Sequence, residues 1–565
     1  MVYSEFFNVA EKSQHGGNSS RTPATTRRDA LLRAQKPAIA SLKALLAERD
    51  ASLAERNATI AERDCTVTSQ RALIAILEEK LRLATHQQFA PKSEKLTSLA
   101  QRELIFNEAE ALGTKPESET PEIVVPEHRR VRGKRKPIDP NLPRKRIEHD
   151  IADDQKLCPC GCQLTRIGEV TSEQLDIEPA KAWVLQHVRF KYACRSCEGT
   201  SHDGSAVVTA ELPAQPLPKS NASPGLAAFI TVSKYADGLP LYRLEGILSR
   251  YMISVSRTAM AAWMIKLGDL VTPLINLFND ILLAYDVLQM DETTVQVLKE
   301  DGRAATDKSF MWVRRGGPPE HPVILFDYAP TRAASVPLRL LEDYKGHLQS
   351  DGYRGYGALG RRDGVIHVGC LDHARRRFVD AVKAQHALAG SEKGLAPQAL
   401  LIIRKLYALE KLARDANMTP DERHRLRREK AKPIWDELRA WLDKNLGSVP
   451  PQSLTGKALH YLAVEWPRLI RYLDDGRLEI SNVLCENAIR PFVVGRKAWL
   501  FSDTPAGAHA SAKLYSIIET ARAVGIEPYA YLRHIFEKLP QATTLADIEA
   551  LLPWMVRAAI ARPTP

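Results

Sequence analysis

At 565 residues, 44% hydrophobic and 26% charged, the chain has the makeup of a globular protein of several domains, which excludes disorder throughout. Lysine and arginine outnumber the acids 79 to 68, a net charge of +11 that favours polyanionic partners such as nucleic acid. The opening residues lack the apolar core of a signal peptide, and no run reaches about 18 apolar residues without charge, so a cytoplasmic, nucleoid-associated protein with no membrane contact is expected.

Residues 1–38 are polar and rich in Ser, Thr and Arg, the composition of a disordered start. Over 39–86, Ile39, Leu46, Leu53, Ile60, Val67, Ile74 and Leu81 recur every seven residues, the heptad of a coiled-coil helix that would make a homo-oligomer. Arg49, Arg56 and Arg63 occupy the second seam position, so one seam position alone is apolar. Residues 87–150 then read as a Pro-rich basic linker. Between positions 128 and 146 nine Lys or Arg stand against one Asp, and Arg132, Lys134, Arg135 and Lys136 suit an arm lying in a DNA minor groove.

Five of the eight cysteines fall inside 151–205. Cys194 and Cys197 form a Cys-x-x-Cys knuckle, and Cys158, Cys160 and Cys162 precede it by 31 intervening residues. In a reducing compartment this spacing suits structural Zn²⁺, which wants four soft ligands in a tetrahedron. Two of the first three cysteines suffice, and the spacing does not choose between them. A redox role would need a thioredoxin-like context that is missing.

Residues 220–283 are helical in pattern. One helix ends near Arg250 and a second begins at Ser254 or Ser256 as N-cap, the spacing of a helix-turn-helix-like DNA-binding region. Strands follow at 286–298, 309–316, 322–329 and 346–353, with a short helix at 333–343 before the last, and predict a mixed sheet within 284–374. Long helical patterns fill 375–480, more helices 481–540, and a helical tail 541–565.

Carboxylates interrupt this sheet. Asp291 and Glu292 stand inside the first strand, and Asp351 closes the last, 60 residues later and followed by glycines that allow close approach of a ligand. Neighbouring strands would set Asp291 and Asp351 side by side, an arrangement that holds two Mg²⁺ ions about 3.5–4 Å apart for phosphodiester chemistry. A third acid is available in 478–501, where Asn482, Glu486 and Arg490 share one helical face, Pro491 is expected to end the helix, and Arg496 and Lys497 follow. The residues alone leave open that Asp291 caps a turn and Glu486 pairs with Arg490 at the surface.

The heptads, "FAPKSEKL", the cysteine module, "DETTVQVL", "SDGYRGYG", "GCLDHARRRF", "SNVLCENAIRPFVVGRKAWLF" and "YSIIETARAVGIEPYAYL", in this order along nearly the whole chain, resemble the insertion-sequence-66 family of transposases. The resemblance implies a multidomain α+β protein with an RNase H-like mixed α/β catalytic core, 284–374 and 481–540, interrupted by the helical insertion 375–480. It implies a DDE-type enzyme whose catalytic acids, ligands of Mg²⁺ or Mn²⁺, fall on Asp291, Asp351 and Glu486. Glu519 is the reserve for the last, and Glu292 has a supporting place. The implied reaction is cleavage and strand transfer on double-stranded DNA, at the element's ends and at a target, with accessory proteins of the same element as further partners. Arg375, Arg376, Arg490, Arg496 and Lys497 would contact phosphate. His373, three residues after Cys370, matches a Cys-x-x-His feature of the family and is read as packing and phosphate contact rather than metal binding. The alternative is a zinc-dependent DNA-binding regulator derived from a transposase, without catalysis, and a third reading is a nuclease that cuts without joining.

Overall fold

The computed structural model describes residues 23–89, 182–193, 207–385 and 394–560, in two units, Met1–Phe89 and Ala90–Pro565. The linker cations Arg132, Lys134, Arg135 and Lys136 and the cysteines Cys158, Cys160, Cys162, Cys194 and Cys197 lie outside the described residues.

The first unit is helix α1 (Pro23–Phe89), which starts ahead of the expected position 39 and takes in residues 23–38 of the stretch expected to be disordered. Pro23 provides the pre-set φ of a first turn, and the Ala, Leu and Arg that follow are good helix formers. The heptad residues from Ile39 to Leu81 are all exposed on the single chain.

In the second unit a short antiparallel pair, β1 (Lys191–Ala193) and β2 (Val207–Thr209), borders the cysteine region. Four helices follow: α2 (Pro224–Tyr235), α3 (Leu241–Ser249), α4 (Arg257–Leu270) and α5 (Thr272–Ala284). Of the two serines expected to cap α4, Ser256 does so, its hydroxyl accepting from the Ala259 N–H at 3.2 Å. Met260, Trp263, Met264 and Leu267 bury one face of α4, while Arg257 and Lys266 are exposed on the other.

Strands β3 (Val287–Gln296), β4 (Lys308–Gly316), β5 (Val323–Ala329), β6 (Gly346–Gln349) and β7 (Val365–Val368) form one mixed sheet in the order β5-β4-β3-β6-β7. The β3-β4 and β4-β5 pairs are antiparallel, whereas β6 and β7 run parallel to β3. Helix α6 (Ser335–Leu340) leads into β6. The strand expected over 346–353 stops at Gln349, which leaves Asp351 in the loop beyond the sheet.

Five helices then pack among themselves: α7 (Leu371–Gln385), α8 (Leu395–Asp415), α9 (Pro420–Leu426), α10 (Lys432–Asn445) and α11 (Leu454–Leu469). They gather a second hydrophobic core that contains Phe378, Leu406, Trp435, Leu459 and Tyr472.

The chain returns to the sheet with α12 (Val483–Trp499) and α13 (Pro505–Ala523), and ends in α14 (Pro528–Lys538), α15 (Leu545–Glu549) and α16 (Pro553–Ile560). Helix α12 runs straight through Pro491, which was expected to end it. Pro491 forfeits one backbone bond, to the Asn487 carbonyl, while Cys485, Phe492 and Gly495 stay buried along the helix, and that packing outweighs the lost bond. Helix α13 covers the edge strand β5, where the Ser516 and Thr520 hydroxyls accept from the N–H groups of Phe326 (2.8 Å) and Ile324 (3.0 Å). No single described helix is long and apolar enough to cross a membrane.

Candidate active site

The parallel pairing of β3 with β6 sets Gln289 opposite Gln349, and Asp291 and Asp351 each lie two residues further along. Asp291 is on the strand itself, and its Oδ1 accepts from the Glu292 N–H at 2.8 Å. Asp351 holds the turn after β6, its Oδ1 accepting from the Tyr353 N–H at 3.0 Å. Glu486 enters from the first turn of α12. Burial, and then the negative charges of Glu292, Glu486 and Asp351, push the Asp291 carboxyl well above the usual carboxylate range. A desolvated carboxyl surrounded by like charges is the electrostatic signature of a site that a cation would relieve.

Two buried glutamines fix the third acid to the other two. Gln289 Nε2 donates to Gln349 Oε1 at 2.8 Å, and Gln289 Oε1 accepts from the Cys485 N–H at 3.0 Å, one residue before Glu486. Gln349 Nε2 donates to the Glu479 carbonyl at 2.7 Å. Sequence reasoning passed over both residues, although a glutamine inside an apolar strand, in "LQM" and again in "LQS", is the signal that would have found them.

Glu292 is held separately. Arg332 Nε donates to its Oε1 at 2.6 Å and the Tyr356 hydroxyl donates to Oε2, while the Arg332 guanidinium lies 3.6 Å from the centre of the Tyr353 ring. With both oxygens engaged, Glu292 braces the strand beside Asp291.

A further set of donors closes on Glu486. Ligand atoms of Cys370, His373 and Glu486 lie within 4.8 Å of one another, with His373 Nδ1 at 3.8 Å from Glu486 Oε1. Burial pushes the Cys370 thiol well up. His373 Nδ1, Glu486 Oε1 and both polar atoms of the Asn482 side chain are buried without a hydrogen-bond partner. Thiol, imidazole and carboxylate together suit a zinc-like ion, whereas the all-carboxylate set of Asp291, Asp351 and Glu486 suits Mg²⁺ or Mn²⁺.

The expected phosphate-binding cations divide into two groups. Arg376 is exposed and lies 3.6 Å from Glu486 Oε2, and Arg490 and Lys497 are exposed on α12. Arg375 lies 5.8 Å from the centre of the Tyr407 ring, and Arg496 is tied to β3 through the hydroxyls of Thr293 (3.2 Å) and Thr294 (3.0 Å). Glu519 pairs with Arg522 at 2.9 Å on α13, the helix that covers β5.

Asp291 on the central strand, Asp351 just beyond its parallel neighbour and Glu486 from α12 form an acidic centre with the cations Arg376, Arg490 and Lys497 nearby. The chain belongs to the IS66 transposase family. The model described as "Transposase IS66 family" matches residues 219–510, more than half of the chain, and that of the IS66 C-terminal element matches 516–554. The zinc-finger binding domain of transposase IS66 matches 155–198, which supports structural zinc, and "Transposase C of IS166 homeodomain" matches 76–147. Two proteins of Sinorhizobium fredii (strain NBRC 101917 / NGR234) are similar, both named only as uncharacterized. Protein y4jD is 32% identical over 74% of this chain and 82% of its own length, and protein y4qI is 32% identical over 85% and 89%. DNA is therefore the partner that the family domains imply.

Proposed function

We propose that this chain is an active DDE-type transposase that cleaves the ends of its element and joins them to target DNA, with Asp291, Asp351 and Glu486 as the catalytic acids. The observation that carries this reading is geometric: paired strands place Asp291 and Asp351 in register two residues beyond the Gln289–Gln349 bond, and Gln289 also holds the Cys485 N–H beside Glu486. The unpartnered Glu486 Oε1 and the oxygen-only donor set fit Mg²⁺ or Mn²⁺. When bound, such an ion stabilises the charge that develops on a phosphodiester and activates the attacking hydroxyl. The protein's own part is positional. The glutamine pair fixes the three acids against one another, Glu292 and Tyr356 stiffen β3, and Arg376, Arg490 and Lys497 orient phosphate.

Three antiparallel strands followed by two parallel to the first support an RNase H-like core formed by 284–374 and 481–540, with 375–480 inserted. On the same reading 151–205 is a zinc module of Cys194, Cys197 and two of Cys158, Cys160 and Cys162, and 220–283 reads DNA. The exposed heptads of 39–86 pair between copies as a coiled coil, and the linker cations Arg132, Lys134, Arg135 and Lys136 add phosphate contacts. Strand cleavage and joining on DNA carrying the element's ends, with Mg²⁺ or EDTA, tests the proposal. Joined product that vanishes in Asp351→Asn is expected. End binding without cleavage, even with the element's accessory proteins added, would instead indicate a DNA-binding regulator.

A further inference from the structure

Beside Asp351 a cleft of about 810 Å³ opens between the loop and 3₁₀ turns after β6 and the helices α7 and α11. Its charge is one-sided. Arg354, Arg361, Arg377, Lys457 and Arg468 line it against one acid, Glu465, and that acid is spent on Arg468 at 2.9 Å. Among the described residues no acid pairs with Arg354, Arg361, Arg377 or Lys457. Arg354 and Arg361 are exposed, so their charges are available to a ligand.

The trough continues into a second cavity of about 260 Å³ that shares Arg361 and Arg468 and adds Arg471 and His367. Burial, and then the charges of Arg468 and Arg471, hold the pKa of His367 down to about 3, so the imidazole stays neutral in this wall. Aromatic surface lies within the same walls. The Arg377 guanidinium lies over the Tyr461 ring at 4.1 Å, and a Cβ at Gly352 would come within 2.6 Å of the Tyr461 hydroxyl, so the cleft closes tightly against the residue after Asp351.

We propose that this cleft binds a single DNA strand and leads it to Asp351, with Arg354, Arg361 and Lys457 on phosphates and Arg377, backed by Tyr461, against a base. Unpaired cations tracking a backbone together with planar groups for stacking are the recognition chemistry of single strands. A cavity of this volume lies in the range of about 300–1,000 Å³ that encloses nucleotide-sized ligands and cannot enclose a turn of duplex. The assignment rests on reading Asp351 as part of the phosphodiester centre.

The test is anisotropy titration of the full chain with an oligothymidylate of about 20 nucleotides and with a blunt duplex, in EDTA, across a salt series. Arg354→Ala/Arg361→Ala should weaken strand binding about tenfold or more. It should also lower the salt slope by about 1.4, two phosphate contacts at about 0.7 each, and change duplex affinity less than about twofold. Lys457→Gln, a milder change on a different element, should weaken the strand selectively as well and decides the matter if the double variant misfolds. Unchanged strand binding, or equal loss for strand and duplex, overturns the cleft assignment. Selective strand binding by a wild-type chain that never cleaves with Mg²⁺ would retain the cleft and remove the catalytic reading.

Discussion

Gln289 and Gln349, 60 residues apart, share a 2.8 Å hydrogen bond between the parallel strands β3, which carries Asp291, and β6, which ends two residues before Asp351. Through the Cys485 N–H the same pair holds the helix that presents Glu486. Gln289→Leu strips that buried N–H of its acceptor, a loss of about 1–3 kcal/mol. The variant should stay folded and bind element ends normally, while Mg²⁺-dependent cleavage falls about 10- to 100-fold because Glu486 is no longer held to the sheet. Wild-type cleavage rates in Gln289→Leu would remove the pair from the machinery.

The two glutamines also show where sequence reasoning runs out. Strands β3, β4 and β5 were legible because β-branched and aromatic residues alternate between turns, and the cap of α4 was legible as one of two serines, of which the structure uses Ser256. Strand β7 was missed because its four residues, "VIHV", are too few to carry a pattern, and it pairs only because β6 offers it a free edge. Pro491 misled because a local backbone rule was weighed without the burial of Phe492. Single acids were visible at Asp291, Asp351 and Glu486, but the partners that fix them, Gln289 with Cys485 at 196 residues' separation, depend on long-range packing. The basic cleft was hidden for the same reason, since Arg354 and Lys457 belong to distant stretches.

Asp291 should make stability depend on pH and on divalent metal. Its folded carboxyl titrates well above the ordinary aspartate value of 3.8, so the native state holds a proton that the unfolded chain has already released. In EDTA the stabilisation is therefore fully present below about 3.8 and is lost as pH rises through the raised folded value. Asp291→Asn removes this penalty. At pH 7 in EDTA it should melt higher than wild type, by about 1–2 °C for each kcal/mol of repulsion relieved. Mg²⁺ should raise the wild-type midpoint and leave that of the variant nearly unchanged. Equal Mg²⁺ shifts in both would mean that Asp291 is not a ligand.

Arg427 is the buried fastener of the helical core. Its guanidinium bonds Glu410 at 2.9 and 2.8 Å and also donates to the carbonyls of Tyr472, Asp475 and Leu478. Arg427→Ala leaves Glu410 buried with its main partner gone, at a cost of about 3–5 kcal/mol. Hydrogen exchange should accelerate across 395–480 and much less across the sheet. Arg427→Met with Glu410→Met, which removes both charges, should recover a substantial part of the loss. Protection in the sheet lost to the same degree would show that the two cores do not open separately.

His373 Nδ1 and Glu486 Oε1, 3.8 Å apart and both without a hydrogen-bond partner, are close to the spacing of adjacent ligands on one tetrahedral ion, which for bond lengths of about 2.0–2.3 Å is about 3.3–3.8 Å. Cys370 supplies a third donor of a kind that Mg²⁺ rejects and Zn²⁺ prefers. Because Glu486 belongs to both donor sets, Zn²⁺ at this corner would remove the carboxylate that a Mg²⁺-dependent reaction needs. Micromolar Zn²⁺ should therefore suppress cleavage in the presence of millimolar Mg²⁺, and Cys370→Ala should shift the inhibitory concentration up about tenfold or more while the zinc module is left untouched. Cobalt titrated into the full chain gives an independent readout, a thiolate-to-metal absorption beyond that of the zinc module's own cysteines, an increment that is lost in Cys370→Ala and weakened in His373→Ala. Identical Zn²⁺ inhibition and identical cobalt spectra in wild type and Cys370→Ala would mean that the three donors meet only by packing.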